Sequence, residues 1–530
     1  MAERLMGVET EYAFSAQSTN GALDQNEFIN RLMELARRRL VHLPGVGGGL
    51  YLENGSRLYV DYGNHPELAT PECANPWDVV RYILAGERIL GKLAGDLELQ
   101  FPYARVMLFK SNVDYAGGWT TWGCHESYSH AADAGSLSDQ IIPHLVTRII
   151  YTGAGGFDST CRGLAFTLSP RVFHLANVVS NNSTSDRGIF HTKDESLSRP
   201  GLHRLHIICG ESLCSETAMW LKVATTALVV AMAEAGVRPG HGLGLRSPVD
   251  AMRQIALDTS CAQSVSLIDG RRLSAIEIQY QYLTLAERNL DRSFMPRWAE
   301  DACREWRAML NLLLEAPESV STRLDWAIKR AMYEDHFERR GIDWNSLPHW
   351  TRVLNELHQA QDMTDHYAHP MTAEFVLNVS GPLYDTAQRL RPFLREKGLS
   401  WDALDTVIAV KKELFEADMR FGELGDGGVF ADLARAGVLD HSVSGVDQID
   451  AATGQPPTVG RALLRGNAVK RLAGRNGDYQ CDWQGVFDLR AKRVLDLSEP
   501  LEHTERWLDY EQAPASAALP FTDMLSRAYD

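Results

Sequence analysis

The chain has 530 residues, with 69 acidic and 53 basic side chains for a formal charge of −16, 45% hydrophobic residues and 23% charged ones. That is the composition of a folded globular protein, long enough for about two to four domains, and it excludes disorder as the main state. The acidic balance argues against a general nucleic-acid binder, whose phosphate contacts need clustered Lys and Arg, and leaves only local basic grooves open. In the most hydrophobic segment the charge-free run Val223 to Ala233 is far short of the roughly 18 to 20 apolar residues of a membrane helix. The opening Met1-Ala-Glu-Arg-Leu-Met-Gly-Val-Glu9 has no basic stretch followed by an apolar run, so a cytoplasmic protein is expected. Eight cysteines, with no CxxC pair among them, are read as reduced and structural.

In chain order, Met6 to Phe14 alternates like a strand, Glu27 to Leu40 carries apolar residues at helical spacing, and Leu50 to Asp61 alternates again. The glycine cluster Pro44 to Gly49 lacks the Gly-Lys-Ser/Thr ending of a phosphate loop and is read as a turn. A helix is expected over Pro76 to Glu98 and a strand over Ala104 to Lys110, with Gly123 to His130 as its possible partner. Asp139 to Tyr151 reads as a helix, and Arg162 to Leu168 and Leu202 to Gly210 as strands. Ser215 to Gly236 is apolar nearly all round, which predicts a helix buried against the sheet. From Pro248 to about Arg340 the pattern is helical, and Trp344 to Gly398, richer in His and Pro, looks like a helical insert. Strands early and helices late predict an α+β fold. The expected division is a large domain over 1–425 carrying the insert 344–398, a small C-terminal domain over 426–512, and a tail over 513–530.

Strand periodicity selects the chemistry-bearing residues, because successive side chains point to opposite faces. Glu9 and Glu11 share one face of the first strand, opposite Val8, Thr10 and Tyr12. Arg57, Tyr59 and Asp61 share a face opposite Leu58 and Val60, and Glu67 and Glu72 follow within short reach. Arg204 and His206 share another face, with Glu211 and Glu216 just beyond. Neighbouring carboxylates repel unless a cation lies between them or one is protonated. An oxygen-rich cluster with an occasional His, and without cysteine ligand spacing, suits Mg²⁺ or Mn²⁺ better than zinc. These residues therefore predict a metal-nucleotide site, against the plainer reading of solvated surface carboxylates and structural ion pairs.

The segments MGVETEYAF, ENGSRLYVDYGNHPELATPEC, LFKSNVDYAGG, WGCHESY, HLVTRIIYTGAG, RLHIICGESLCSETAMWLKVATTALV, LDWAIKR and PPTVGRALLRG resemble, in the same order, segments of the Pup ligase and Pup deamidase/depupylase family. The resemblance implies a glutamine synthetase-like fold: a curved antiparallel sheet forming an active-site cradle, backed by helices, with a small C-terminal domain. It also implies ATP and Mg²⁺ as cofactors, and as partners a small Pup-like protein modifier and lysine-bearing protein substrates. By the same resemblance Glu9, Tyr59 and Glu67 match metal positions, with Glu11 beside them. Arg57, Thr70 and Trp483 match ATP-contacting positions, joined by Arg204 and His206 from a matching segment, and Asp61 matches the catalytic carboxylate. Glu126 and Glu216 lie in matching segments and are further candidates.

The implied chemistry is activation of a side-chain carboxylate by ATP and capture of the acyl phosphate by a lysine amine. A deamidase or depupylase acting on the same modifier, a paralogue with another carboxylate substrate, and a degenerate ATP-binding homologue are the alternatives. The deamidase branch carries a long loop soon after the first strand, and only a helix-sized segment and a glycine turn separate Phe14 from Leu50 here, which favours the ligase. Where the family has a Thr-Arg-Asp-Glu-Pro-His run this chain reads Thr192-Lys193-Asp194-Glu195-Ser196-Leu197. Lys cannot reproduce an arginine's bidentate grip on phosphate or carboxylate.

Overall fold

A computed structural model of the chain describes residues 4–117, 119–181, 186–191, 201–363, 372–475 and 477–513. Its centre is a nine-stranded sheet in the order Val179–Ser180, Phe190–His191, His203–Ile207, Cys124–His130, Met6–Glu11, Pro66–Ala69, Arg57–Val60, Leu50–Leu52 and His42–Pro44. Every pairing is antiparallel except that of the two short outer strands Val179–Ser180 and Phe190–His191. The fold is α+β, as the segregation of strands and helices along the chain predicts.

Alternation decides what each face of this sheet meets. Met6, Val8, Cys124, Tyr128, Leu205 and Ile207 point to one side and share a core with Val79, Val80 and Ile83 of the helix Pro76–Gln100. The same core holds Leu137, Ile141 and Leu145 of the helix Ala134–Thr147 and most of the helix Glu216–Glu234. The last of these starts where Ser215 accepts from the Ala218 N–H, and it is buried on every side. Counted over its full length it meets the length and composition of a membrane span, more than its charge-free stretch indicates, yet 78% of that window is buried inside the protein. The helix occupies the place of a core element.

The opposite face of the sheet is left open to carry polar groups. At its His42–Pro44 edge it meets a C-terminal unit, in which the helix Arg461–Leu472 packs on a four-stranded sheet built from Tyr479–Cys481, Gly485–Asp488, Arg493–Asp496 and Trp507–Asp509. Leu43 and Tyr51 share a core with Leu464, Val469, Cys481 and Val486, which brings Trp483 to the mouth of the open face. Elsewhere Leu347–Asp362, Pro382–Glu396 and Leu404–Phe421 form a separate helical core with Tyr333, Phe337, Phe157 and Leu164.

Several local expectations differ from the structure. The first strand ends at Glu11, and Ala13–Gln17 leaves the main sheet to pair with Arg105–Phe109. The expected partner of that second strand, Cys124–His130, lies instead between Met6–Glu11 and His203–Ile207. Alternation fixes the faces of a strand but not its neighbours, which is why these pairings were not legible. Leu50 to Asp61 is two strands joined by a turn in which Gly55 takes φ +85°, and an added Cβ there would come within 3.2 Å of the Ala462 carbonyl oxygen. Only Phe166–Thr167 of the segment Arg162 to Leu168 is strand, and a short hairpin, Ser264–Ser266 with Arg272–Ser274, interrupts the helical stretch after Pro248.

Candidate active site

Register turns the separate polar faces into one surface. Glu11 stands opposite Glu67, which stands opposite Tyr59, so three strands place these side chains in one row. A neighbouring row runs His125, Glu9, Ala69, Arg57. The cavity above them has a volume of about 630 Å³, and its walls include Glu9, Glu11, Arg57, Tyr59, Asp61, His65, Glu67, His125, Arg171 and His206. A smaller cleft adjoins it, lined by Gly7, Thr70, Ser127, Arg204, Arg461 and Trp483, and Glu9 is the residue the two share. Gly7 lets this cleft exist beside Thr70, whose hydroxyl accepts from the Val8 N–H at 3.0 Å.

The carboxylates are strongly unequal. Burial opposes the charge on Glu9, but Arg204, which donates to it at 3.0 Å, together with His125 and His206 holds its carboxyl well below the usual range. Burial and then the charges of Glu9 and Glu11 push the Glu67 carboxyl well above it. Tyr59 donates its hydroxyl to Glu67, and burial with the adjacent Glu67 and Glu9 keeps that phenol protonated. The Arg57 guanidinium lies 4.3 Å from the centre of the Tyr59 ring and donates to the Gly48 carbonyl at 3.1 Å. Asp61 is clamped by its own turn, accepting from the His65 N–H at 2.6 Å and lying 3.2 Å from His65 Nδ1. Burial works against ionisation of Asp61, and these His65 contacts overcome it and lower its pKa. Gly63 makes the turn possible, because a Cβ there would sit 2.6 Å from the His65 ring.

This donor set fits a divalent cation. Glu9 with His125 and His206, Glu11 with Asp61 and His65, and Glu11 with Glu67 and His125 each bring three ligand atoms within 4.8 Å of one another. His206 Nε2 and His125 Nε2 are buried without a hydrogen-bond partner among the described residues, 3.7 Å and 3.9 Å from carboxylate oxygens of Glu9 and Glu11. Burial and then Arg204 keep the His206 ring neutral, with a lone pair available. A cation between the carboxylates would relieve the repulsion that raises Glu67.

All ten residues singled out as site candidates, Glu9, Glu11, Arg57, Tyr59, Asp61, Glu67, Thr70, Arg204, His206 and Trp483, line the cavity or the adjoining cleft. Glu126 and Glu216 do not. Glu126 stands opposite Val8 on the helix-facing side, fully buried and gripped by Arg148 at 2.9 Å. Glu216 accepts from the Val443 N–H and lines a different cavity, beside Lys110. Glu211 is buried as a scaffold, accepting the Ala154 and Arg171 N–H groups. Glu72 is paired with Arg461 at 2.6 Å and with Arg465. Sequence reasoning missed His125, which alternation in Cys124–His130 places opposite Glu126, and His65. The stretch with Lys193 lies outside the described residues.

The open face of the antiparallel sheet thus gathers carboxylates, histidines and arginines between a helical backing and a small C-terminal unit. The Pup-ligase protein family matches residues 4–360 and 387–487, and the chain belongs to that family. A Pup–protein ligase of Xylanimonas cellulosilytica is 35% identical over 526 residues, 96% of this chain and 99% of the relative. One of Kribbella flavida is 32% identical over 518 residues, 96% and 98% of the two chains. Among solved structures, the complex between the prokaryotic ubiquitin-like protein Pup and its ligase PafA aligns at TM-score 0.70 and 24% identity, covering 95% of this chain and 90% of that one. PafA in complex with ADP aligns at TM-score 0.64, also at 24% identity, covering 91% and 93%. The two structures carry the fold alone.

Proposed function

We propose that this protein is an ATP-dependent carboxylate-amine ligase that joins the C-terminal Glu side chain of a Pup-like modifier to a lysine of a protein substrate. The observation that supports this most strongly is the placement of Asp61, Arg57, Tyr59, Glu67, Glu9 and Glu11 around one cavity in a chain of the Pup-ligase family. Thr70, Trp483 and Arg204 line the cleft that would take the nucleotide, with Glu9 at its junction with the cavity, where the phosphates would enter. Glu9, Glu11 and Glu67, with His125 and His206 at hand and Tyr59 holding Glu67, would bind Mg²⁺. The ion supplies charge neutralisation for phosphoryl transfer.

A carboxylate is a poor electrophile. The modifier's side-chain carboxylate attacks the γ-phosphorus of ATP, ADP leaves, and the product is an acyl phosphate. Arg57, beside Tyr59 and facing the cavity, offsets negative charge on the phosphoryl oxygens in that step. Asp61 then takes a proton from the incoming lysine ammonium, the free amine attacks the acyl carbon, and phosphate leaves as the isopeptide bond forms. Asp61 is kept ionised for this by the two His65 contacts. The cytoplasm, with its ATP and Mg²⁺, is the compartment this reading requires.

The test is intact-mass spectrometry after incubation with ATP, Mg²⁺, a lysine-rich acceptor, and Pup-like peptides ending in Glu or in Gln. The expected result is an acceptor heavier by the Glu peptide less one water. Conversion of the Gln peptide to its acid, without conjugate, would assign the chain to the hydrolase chemistry instead.

A further inference from the structure

On the cavity wall beside His125 stands a guanidinium whose charge nothing in the reaction above employs. Arg171 is 2% exposed and sits in the 3₁₀ turn Pro170–His174. Its backbone is pinned, since the Arg171 N–H donates at 2.9 Å to Glu211, whose other oxygen holds the Ala154 N–H at 2.8 Å. The side chain donates to the Thr121 hydroxyl at 2.9 Å and to the Ile208 carbonyl at 3.3 Å, both neutral, while among the described residues its Nε has no partner. Among the described residues no carboxylate lies within ion-pair distance of its guanidinium. A buried, uncompensated charge is costly unless a ligand neutralises it.

Burial and then Arg171 push the Arg187 guanidinium, on the same cavity wall, below its usual pKa, with Glu11 opposing. Burial, then Arg187, then Arg171 lower His174 to about 4. Gly123 makes room for the guanidinium beside His125: a Cβ there would come 2.9 Å from Arg171 Nη2 and 2.4 Å from His125 Nε2. Arg171 does not line the adjoining nucleotide cleft; it faces the larger cavity, where the modifier's C-terminus has to react.

The ligase reading, on which this rests, supplies such an anion. A C-terminal Glu carries two carboxylates; the side-chain group reacts at the acidic, metal-binding wall, and the α-carboxylate enters the same enclosed space with its charge unmet. We propose that Arg171 binds that free α-carboxylate and thereby orients the reacting side chain toward the nucleotide. A guanidinium fork matches a carboxylate's two oxygens, which makes the contact selective for a chain terminus.

Two modifier peptides test it, identical except that the C-terminal Glu bears a free α-carboxylate in one and an α-carboxamide in the other. Wild-type protein is expected to ligate the carboxamide with kcat/KM lower on the order of 100-fold, the loss of a charge-assisted contact in a buried site. In Arg171→Gln the acid peptide falls to a similar level, the acid-to-amide ratio approaches one, and the KM for ATP is unchanged. That ratio is a readout a merely structural role would not move. Equal use of both peptides by the wild type overturns the proposal and leaves the ligase reading standing; ligation of neither peptide removes the ligase reading itself. Retention of the wild-type preference by Arg171→Gln also overturns it, as does a raised KM for ATP with both peptides, which would give the guanidinium to the phosphoryl group. Arg171→Lys, which keeps the charge and loses the fork, is expected to lower the acid-to-amide ratio part of the way and serves where Arg171→Gln does not fold; an unchanged ratio in it overturns the proposal.

Discussion

Buried carboxylates occupy both faces of the central sheet, and the two sets live in opposite electrostatic conditions. On the helix side Glu126 is held by Arg148 and by the Tyr128 hydroxyl at 2.7 Å, so that the pairing outweighs burial and lowers its pKa. On the open side Glu67 is squeezed by burial and by Glu9 and Glu11, with a neutral tyrosine as its support. The same residue type, on strands two places apart, is a satisfied ion pair in one case and, in the other, a carboxyl that resists ionising until a cation joins it. Partnership separates the two, not burial or residue identity.

The largest expected effect breaks the cavity side of this comparison. Asp61→Asn should lower ligation at least about 10³-fold while calorimetry still detects ATP·Mg²⁺ binding, because the general base goes and the charge-neutralising groups stay. Normal turnover by this variant would remove Asp61 from the mechanism. On the helix side, Glu126→Gln strands Arg148 without its counter-charge and should cost about 3–5 kcal/mol of stability in urea unfolding. Activity per folded molecule should persist, since Glu126 does not face the cavity.

Glu72 sharpens the contrast through pH. Burial would raise its carboxyl, but Arg465 and Arg461 overcome this and hold it near about 2, below the ordinary value of 4.5. A depressed folded pKa stabilises above the unfolded pKa, so Glu72 should contribute about 3 kcal/mol above pH 4.5 that disappears as the pH falls toward 2. Urea midpoints measured across that window should lose much of their acid slope in Glu72→Gln. The smallest effect runs the other way. With divalent cations chelated, Glu67→Gln should raise stability by about 1 kcal/mol by removing a repelled charge. Added Mg²⁺ should then stabilise the wild type more than the variant, as read by thermal unfolding.

Much of this site was legible because strand periodicity works on local sequence. The alternation around Glu9 and Glu11, and around Arg57, Tyr59 and Asp61, matches the faces the structure displays. His125 was harder: in Cys124–His130 the ionisable Glu126 was the attractive candidate, and only the register Glu9 opposite His125 shows which alternating set faces the cavity. Arg171 lies in a one-turn helix with no period to read, and its uncompensated charge is a property of what surrounds it.

Local pattern and motif order were enough to read the α+β class, a buried helix over Ser215 to Gly236, the two polar strand faces and the family. Tertiary structure decided which strands are neighbours, that Trp483 and Arg461 close one end of the cradle, and which carboxylates have partners. Those outcomes depend on contacts between residues dozens to hundreds of positions apart, where the distance between charges, not their order along the chain, sets the energy.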